Sequence, residues 1–366
     1  RDTMHTRFIA VICVTLLYIP SVSQAEDLTL HDRISDLEKI LHKPKHNFSN
    51  NLKINGTVEL EAFSQKKTGD NDSDTSLATI EVNIEAQVNP WTQTHVLLLH
   101  EDGEDQDLMV DEGFILFTFS ESNIQVMAGK QIIPFGSFES HMISDSLTLE
   151  MAETKDSAVI SRFGNDELHA SIYFFKGDVQ HESSSNNANK MGAHVGYAIN
   201  TGDIHIDFGL AYISDLSESE AILGYFENEE GDAIIQQSVP GVAVNTLITA
   251  GDWHAIFEYI STTRAYDSSD LTFDVDGAQP SSFNAELSHN FVLAGKEVNL
   301  ALAIQGTDQA LNLQLPKERK MVSASYALQP QTSLALEYMH ASSYHPKHGA
   351  SEASSDVVSV QLAAQF

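Results

Sequence analysis

The chain contains a single cysteine, Cys13, in 366 residues. Neither a disulfide framework nor a cysteine-based metal site can be built from it. Basic residues are also scarce: Lys and Arg total 20 against 52 Asp and Glu, for a formal net charge of -32. That balance excludes the basic footprint of a nucleic-acid partner. It also disfavours an anion-selective pore, which needs rings of Arg or Lys. Beyond residue 25 there is no long apolar run, so membrane insertion would have to use strands. No nucleotide-binding loop, metal-catalysis motif or prominent Ser-His-Asp order is present, and the expectation is a non-enzyme without cofactor or bound metal.

One apolar stretch does occur. Residues 4–25 read MHTRFIAVICVTLLYIPSVSQA, with Arg7, an apolar core from Phe8 to Tyr18, the breaker Pro20, and small residues Ser23 and Ala25 around Gln24. This is the plan of a Sec-type signal peptide over residues 1–25. The run is shorter than the ~20 residues of a spanning helix. Arg1 to Thr3 precede the plausible start Met4.

Residues 26–50 are expected to form a short periplasmic helix and linker. Leu30, Ile34, Leu37 and Leu41 repeat at heptad a/d spacing, with Asp36, Glu38 and Lys39 off the seam. Such a seam suits a small trimeric coiled coil on the periplasmic side, a helix packed on the barrel mouth, or a frayed tail. About two heptads are too few to be stable alone in water.

From residue 51 to 366 the pattern is strand-like. Leu52, Ile54, Val58, Leu60 and Ala62 alternate with Lys53, Asn55, Thr57, Glu59 and Glu61. Ile80, Val82 and Ile84 alternate with Glu81, Asn83 and Glu85, and Ile204, Ile206, Phe208 and Leu210 with His205, Asp207 and Gly209. Segments run about ten residues, the length a tilted membrane strand needs. Short turns fall at Asn89–Trp91, Ser120–Asn123, Gly164–Glu167, Asn200–Gly202, Gly251–Asp252, Val292–Gly295 and Gln329–Gln331, with longer polar loops between them. Short turns alternating with long loops predict an all-β, transmembrane antiparallel β-barrel of about sixteen strands and eight outer loops. The last segment, VVSVQLAAQF, ends in Phe366 and resembles the signal by which the barrel assembly machinery recognises outer-membrane proteins.

Several clusters bear on chemistry. Asp70-Asn71-Asp72-Ser73-Asp74 imitates the start of a calcium loop, but Thr75 replaces the required glycine, so a solvated acidic loop is the expectation. His340, His345 and His348 match no closed zinc spacing and read as part of a polar outer loop. The outer loops are acidic at Glu101, Asp102, Glu104, Asp105 and Asp107, at Glu227, Glu229, Glu230 and Asp232, and at Asp267, Asp270, Asp274 and Asp276. Such loops suit lipopolysaccharide bridged by divalent cations, or an electrostatic funnel for cationic solutes.

The most distinctive stretch, GKQIIPFGSFESHMISDSLTLEMAETKDSAV at residues 129–159, falls where the third outer loop belongs. Its mixed apolar and acidic character predicts a loop folded into the barrel to narrow the lumen. Lys130, Glu139, His141, Asp145, Glu150 and Glu153 are the candidate constriction residues.

That stretch, with LMVDEGFILF before it, SLATIEVNIEAQV earlier and the N-terminal ISDLEKIL segment, resembles the legiobactin-receptor family of siderophore porins. The Gly129-Lys130-Gln131, Pro134-Phe135-Gly136 and Ile143-Ser144-Asp145 elements carry most of the likeness. Phosphate-selective porins share a weaker version but depend on many pore Arg and Lys residues, which are missing here. The resemblance implies uptake of a ferric siderophore or similar small polar solute across the bacterial outer membrane, without a plug domain. A general cation-preferring porin, a barrel-anchored adhesive surface protein and a barrel hydrolase are the competing expectations. A homotrimer is the natural assembly for such a barrel with an N-terminal heptad.

Overall fold

Residues 51–67, 70–102, 108–119, 122–181, 190–227, 233–350 and 354–366 are described by the computed structural model. The signal peptide and the N-terminal helix fall outside the described residues, as do Glu104, Asp105, Asp107, Glu229, Glu230 and Asp232.

Alternation of apolar and polar side chains dictates strands, and sixteen of them form one closed antiparallel barrel. The first five are β1 (Leu52–Lys67), β2 (Asp70–Asn89), β3 (Thr92–Glu101), β4 (Met109–Phe119) and β5 (Ile124–Ile132). After the third long loop come β6 (Lys155–Gly164), β7 (Leu168–Phe175), β8 (Lys190–Thr201), β9 (Ile204–Ile213), β10 (Gly241–Ala250) and β11 (Trp253–Thr262). The ring is completed by β12 (Ser281–Leu293), β13 (Lys296–Asp308), β14 (Glu318–Gln329), β15 (Thr332–Ser342) and β16 (Ser355–Gln365). Strands β1 and β16 close it, from Thr57 opposite Gln365 to Lys67 opposite Ser355. Six of the seven short turns join consecutive strands where the turn residues place them; the Ser120–Asn123 turn includes residues outside the described ones.

One expectation is corrected. Asn71 to Thr75 continue the paired ladder between β1 and β2, with Asp74 opposite Phe63 and Asp72 opposite Gln65. The acidic run is strand rather than loop, because both strands extend well past the apolar band.

The barrel is inside out relative to a soluble sandwich. Phe174, Leu210, Leu302 and Leu336 are each more than half exposed and all point outward. An outward apolar band of this extent is unstable in water and fits a lipid face. The buried apolar cluster lies inside the ring instead. It joins inward wall residues such as Ile160, Tyr173, Ile213 and Ile260 to residues of the long loops, among them Phe135, Leu147, Met151, Leu216, Ile222 and Leu271. Folded loops thus occupy part of the lumen toward the long-loop end.

Two short helices belong to this filling. Helix α1 (Leu147–Ala152) is capped by Ser146, whose side chain accepts from the Leu149 N–H. Helix α2 (Glu220–Phe226) sits in the loop between β9 and β10. The Glu220 N–H donates to the Glu153 carbonyl at 2.9 Å, tying the two loops together.

Candidate functional site

The third long loop, residues 133–154, leaves β5 and folds inward. Sixteen strands ~4.8 Å apart, tilted by ~40°, enclose a barrel roughly 30 Å across. At about 3.4 Å per residue the loop is long enough to cross that width and return.

It lands on strands β11 to β15, centred on β13, which is diametrically opposite β5 in a ring of sixteen. The landing is made on carboxylates. Glu258 on β11 accepts from the Ser137 N–H at 2.6 Å, from the Phe138 N–H at 3.3 Å and from the Thr148 hydroxyl at 2.7 Å. Glu286 on β12 accepts from the Ser140 hydroxyl at 2.9 Å and the His141 N–H at 2.8 Å, and lies 2.7 Å from His141 Nδ1. Glu337 on β15 accepts from the Ile143 N–H and the Ser144 hydroxyl, both at 2.6 Å. These three glutamates are 1%, 5% and 1% exposed. Charge buried to that degree is tolerated only when hydrogen-bonded, and loop amides and hydroxyls supply the donors. Gln305 on β13 adds a bond from the Leu147 N–H at 3.2 Å.

Local sequence explains how the loop turns. Phe135 is fully buried in the apolar cluster. A Cβ on Gly136 would sit 2.4 Å from the Phe138 ring, so any other residue there would push that ring aside. Phe138 itself has φ 55°, in the left-handed region, which costs an L-residue roughly 1–2 kcal/mol. Its N–H is held by Glu258, which fixes the strained turn.

The six expected constriction residues separate. Glu139 is open to the lumen. His141 is docked on Glu286 and lies 5.6 Å, ring to ring, from His254 of β11. Asp145 is also open, while its carbonyl accepts from Arg319 at 3.2 Å. Glu150 is tied to Arg319 of β14 through both guanidinium Nη atoms, at 2.5 and 3.1 Å. Glu153 is half-buried near Lys155, Glu220 and Asp111.

Lys130 is a correction. It pairs with Ser157 across β5 and β6, in phase with the exposed Ile132 and Val159. It therefore points outward, and its Nζ lies 3.4 Å from the Val110 carbonyl. Period-two alternation beyond the Gly-Lys-Gln sequence assigns Gln131, not Lys130, to the inner face.

Desolvation by the surrounding protein raises the Asp145, Glu150 and Glu153 carboxyls above the ordinary range. For Asp145 and Glu150 desolvation is the main cause, opposed by Arg319. Glu153 is pushed up to about 7 by desolvation, with Lys155 opposing and Glu220, Asp111 and Asp145 adding repulsion.

The wall partners Glu258, Glu286, Glu337 and Arg319 were missed in the sequence. A signal existed for them: each glutamate stands mid-strand, on the polar face, between apolar or aromatic neighbours. His340 and His348 pair with Asp356 and Asp274 at 2.8 and 2.7 Å. Among the described residues no cluster suited to a metal ion is found.

Solved outer-membrane proteins share this architecture. The outer-membrane channel DcaP of Acinetobacter baumannii aligns with TM-score 0.61 and 12% identity, over 86% of this chain and 97% of that one. Pseudomonas putida OprB aligns with TM-score 0.61 and 9% identity, over 92% and 97%. Salmonella typhi OmpF, in a complex with daunomycin, aligns with TM-score 0.57 and 13% identity, over 86% and 98%.

The fold is that of an outer-membrane porin. At these identities the likeness extends to the fold alone.

The sequence relatives are UPF0422 proteins. One from Coxiella burnetii is 26% identical over 77% of this chain and 62% of its own length. One from Legionella pneumophila (strain Lens) is 21% identical over 74% and 54%. The chain thus spans little more than half the length of these relatives. No family model matches it.

Proposed function

We propose that this porin-fold barrel is an outer-membrane channel for a small polar solute, with a ferric siderophore as the specific cargo. Solute moves down its gradient through the lumen and is selected by size and charge where the third loop crosses it. The observation that carries this reading is the docking of that loop on Glu258, Glu286 and Glu337, which leaves Glu139 and Asp145 facing the lumen. A loop anchored on the opposite wall sets a fixed aperture, and carboxylates beside it favour cations and repel free anions. The siderophore assignment draws on the resemblance of the third-loop sequence to siderophore porins.

Two experiments test it. Purified protein in planar bilayers should give discrete, cation-preferring conductance. Cells lacking the gene, starved of iron and stripped of other iron routes, should lose uptake of labelled ferric siderophore and regain it on complementation. Conductance without any uptake defect would reduce the reading to a general cation-preferring porin.

A second reading rests on the apolar cluster inside the ring, from Phe135 to Leu271. Lumen filling of that kind also suits a barrel that only anchors a surface protein. That reading predicts no conductance in the same bilayer recording.

A further inference from the structure

Beneath the third loop, toward the short-turn end, the wall carries a row of polar side chains that includes no carboxylate. The register places Thr118 opposite Gln125, Gln125 opposite Arg162, Arg162 opposite Ser171 and Ser171 opposite His194. Five adjacent strands, β4 to β8, thus present five hydrogen-bonding side chains in one line about 19 Å long. All five line a single cavity of about 830 Å³, with Pro134 and Gly136 of the third loop also on its wall.

His169 joins the row from one step nearer the turns, its ring 5.5 Å from that of His194. The wall is shaped for it: a Cβ on Gly196 would lie 2.1 Å from His169 Nε2.

Arg162 stands at the centre of the line, with Glu112 as the carboxylate whose field reaches it. Among the described residues it has no ion-pair partner. The other two described arginines are engaged, Arg319 by Glu150 and Arg264 by the Ser238 carbonyl. Three described acids lie near the row. Glu112 is 3.2 Å from His95 and accepts from the Ile132 N–H. Asp207 lies on the inner face of β9, and Asp166 is on the cavity rim.

We propose that this row is a binding site for the oxyanion group, carboxylate or phosphate, of a solute held just below the third loop. A guanidinium fork recognises a planar or tetrahedral oxyanion through paired N–H donors. Gln125, Ser171 and the flanking imidazoles supply further donors. In a chain this acidic, a free anion is discouraged from entering, so the site serves an anionic group carried on a larger solute, such as a metal complex. The inference rests on the channel reading, because it gives the site its place on the solute's path.

The test uses the whole protein in lipid nanodiscs with ¹⁵N-labelled arginine. Glutarate and inorganic phosphate are titrated separately, and the side-chain resonance of Arg162 is followed. A saturable shift with either probe is expected, and the arm that binds more tightly identifies the head group. Arg162→Gln should weaken binding, measured by relaxation of the probe itself, by about ten-fold or more. Arg162→Lys, which keeps the charge without the fork, should fall between. Lys130→Gln, on the outer face, should bind as the parent does. Absence of a saturable shift, or unchanged probe binding in Arg162→Gln, overturns the site. Bilayer conductance of the same preparation separates the two claims: binding without conductance defeats the channel reading and leaves the site standing.

Discussion

Arg319 on β14 grips Glu150 in helix α1 through both Nη atoms, at 2.5 and 3.1 Å, and its Nη1 also reaches the Asp145 carbonyl at 3.2 Å. One guanidinium thus fixes the middle of the third loop to the far wall. Both side chains are mostly buried, at 13% and 29% exposure, so water screens the pair less than it would a surface one.

Arg319→Gln should therefore loosen the loop without unfolding the barrel. Loss of a charge-assisted, bidentate contact costs ~1–3 kcal/mol. Hydrogen exchange should show third-loop amides losing protection by about ten-fold or more, with strand amides unchanged. Equal protection in the variant would show that the carboxylates of β11, β12 and β15 suffice to hold the loop.

Glu258→Ala should have a larger local effect than any single change in the loop itself. It removes the acceptor for Ser137, Phe138 and Thr148 at once and frees the left-handed Phe138 to relax. The loop should become cleavable by added protease, and channel noise should rise. An uncleavable loop in the variant would contradict the carboxylate docking.

Neutralising Glu139 and Asp145 together, as Gln and Asn, should lower cation preference, read as a reversal potential in a salt gradient. Glu150→Gln should change it less, because Arg319 already compensates that charge. Lys130→Gln should leave it unaltered, since that side chain lies outside the lumen.

The pH dependence follows from Glu153, whose carboxyl is raised from 4.5 to about 7 by burial. Its raised value means that the folded state binds the proton more tightly than the unfolded one. Packing around α1 is thus favoured at low pH and weakens as pH rises from about 4.5 to about 7, levelling off above. Lumen charge follows the folded state alone: Glu153 ionises as pH passes through about 7, so cation preference should grow around that pH. Glu153→Gln should flatten both trends; a titration unchanged by that substitution would assign them to another carboxyl.

The alternation of Ile204, Ile206 and Phe208 with His205, Asp207 and Gly209, and the short turns at regular intervals, determined the barrel, its strand number and the outward apolar band. These are local properties, because period two and turn chemistry act within a few residues along the chain. The mixed composition of residues 129–159 also pointed to a loop folded inward. What the tertiary structure decided is where that loop lands. Glu258, Glu286, Glu337 and Arg319 are separated from it by more than a hundred residues, and nothing within their own strands states which of them meets the loop. The line from Thr118 to His194 arises in the same way, through a cross-strand register that closes only when five strands lie side by side. Lys130 makes the point in reverse: its charge suggested the lumen, and the pleat of β5 turned it to the outside.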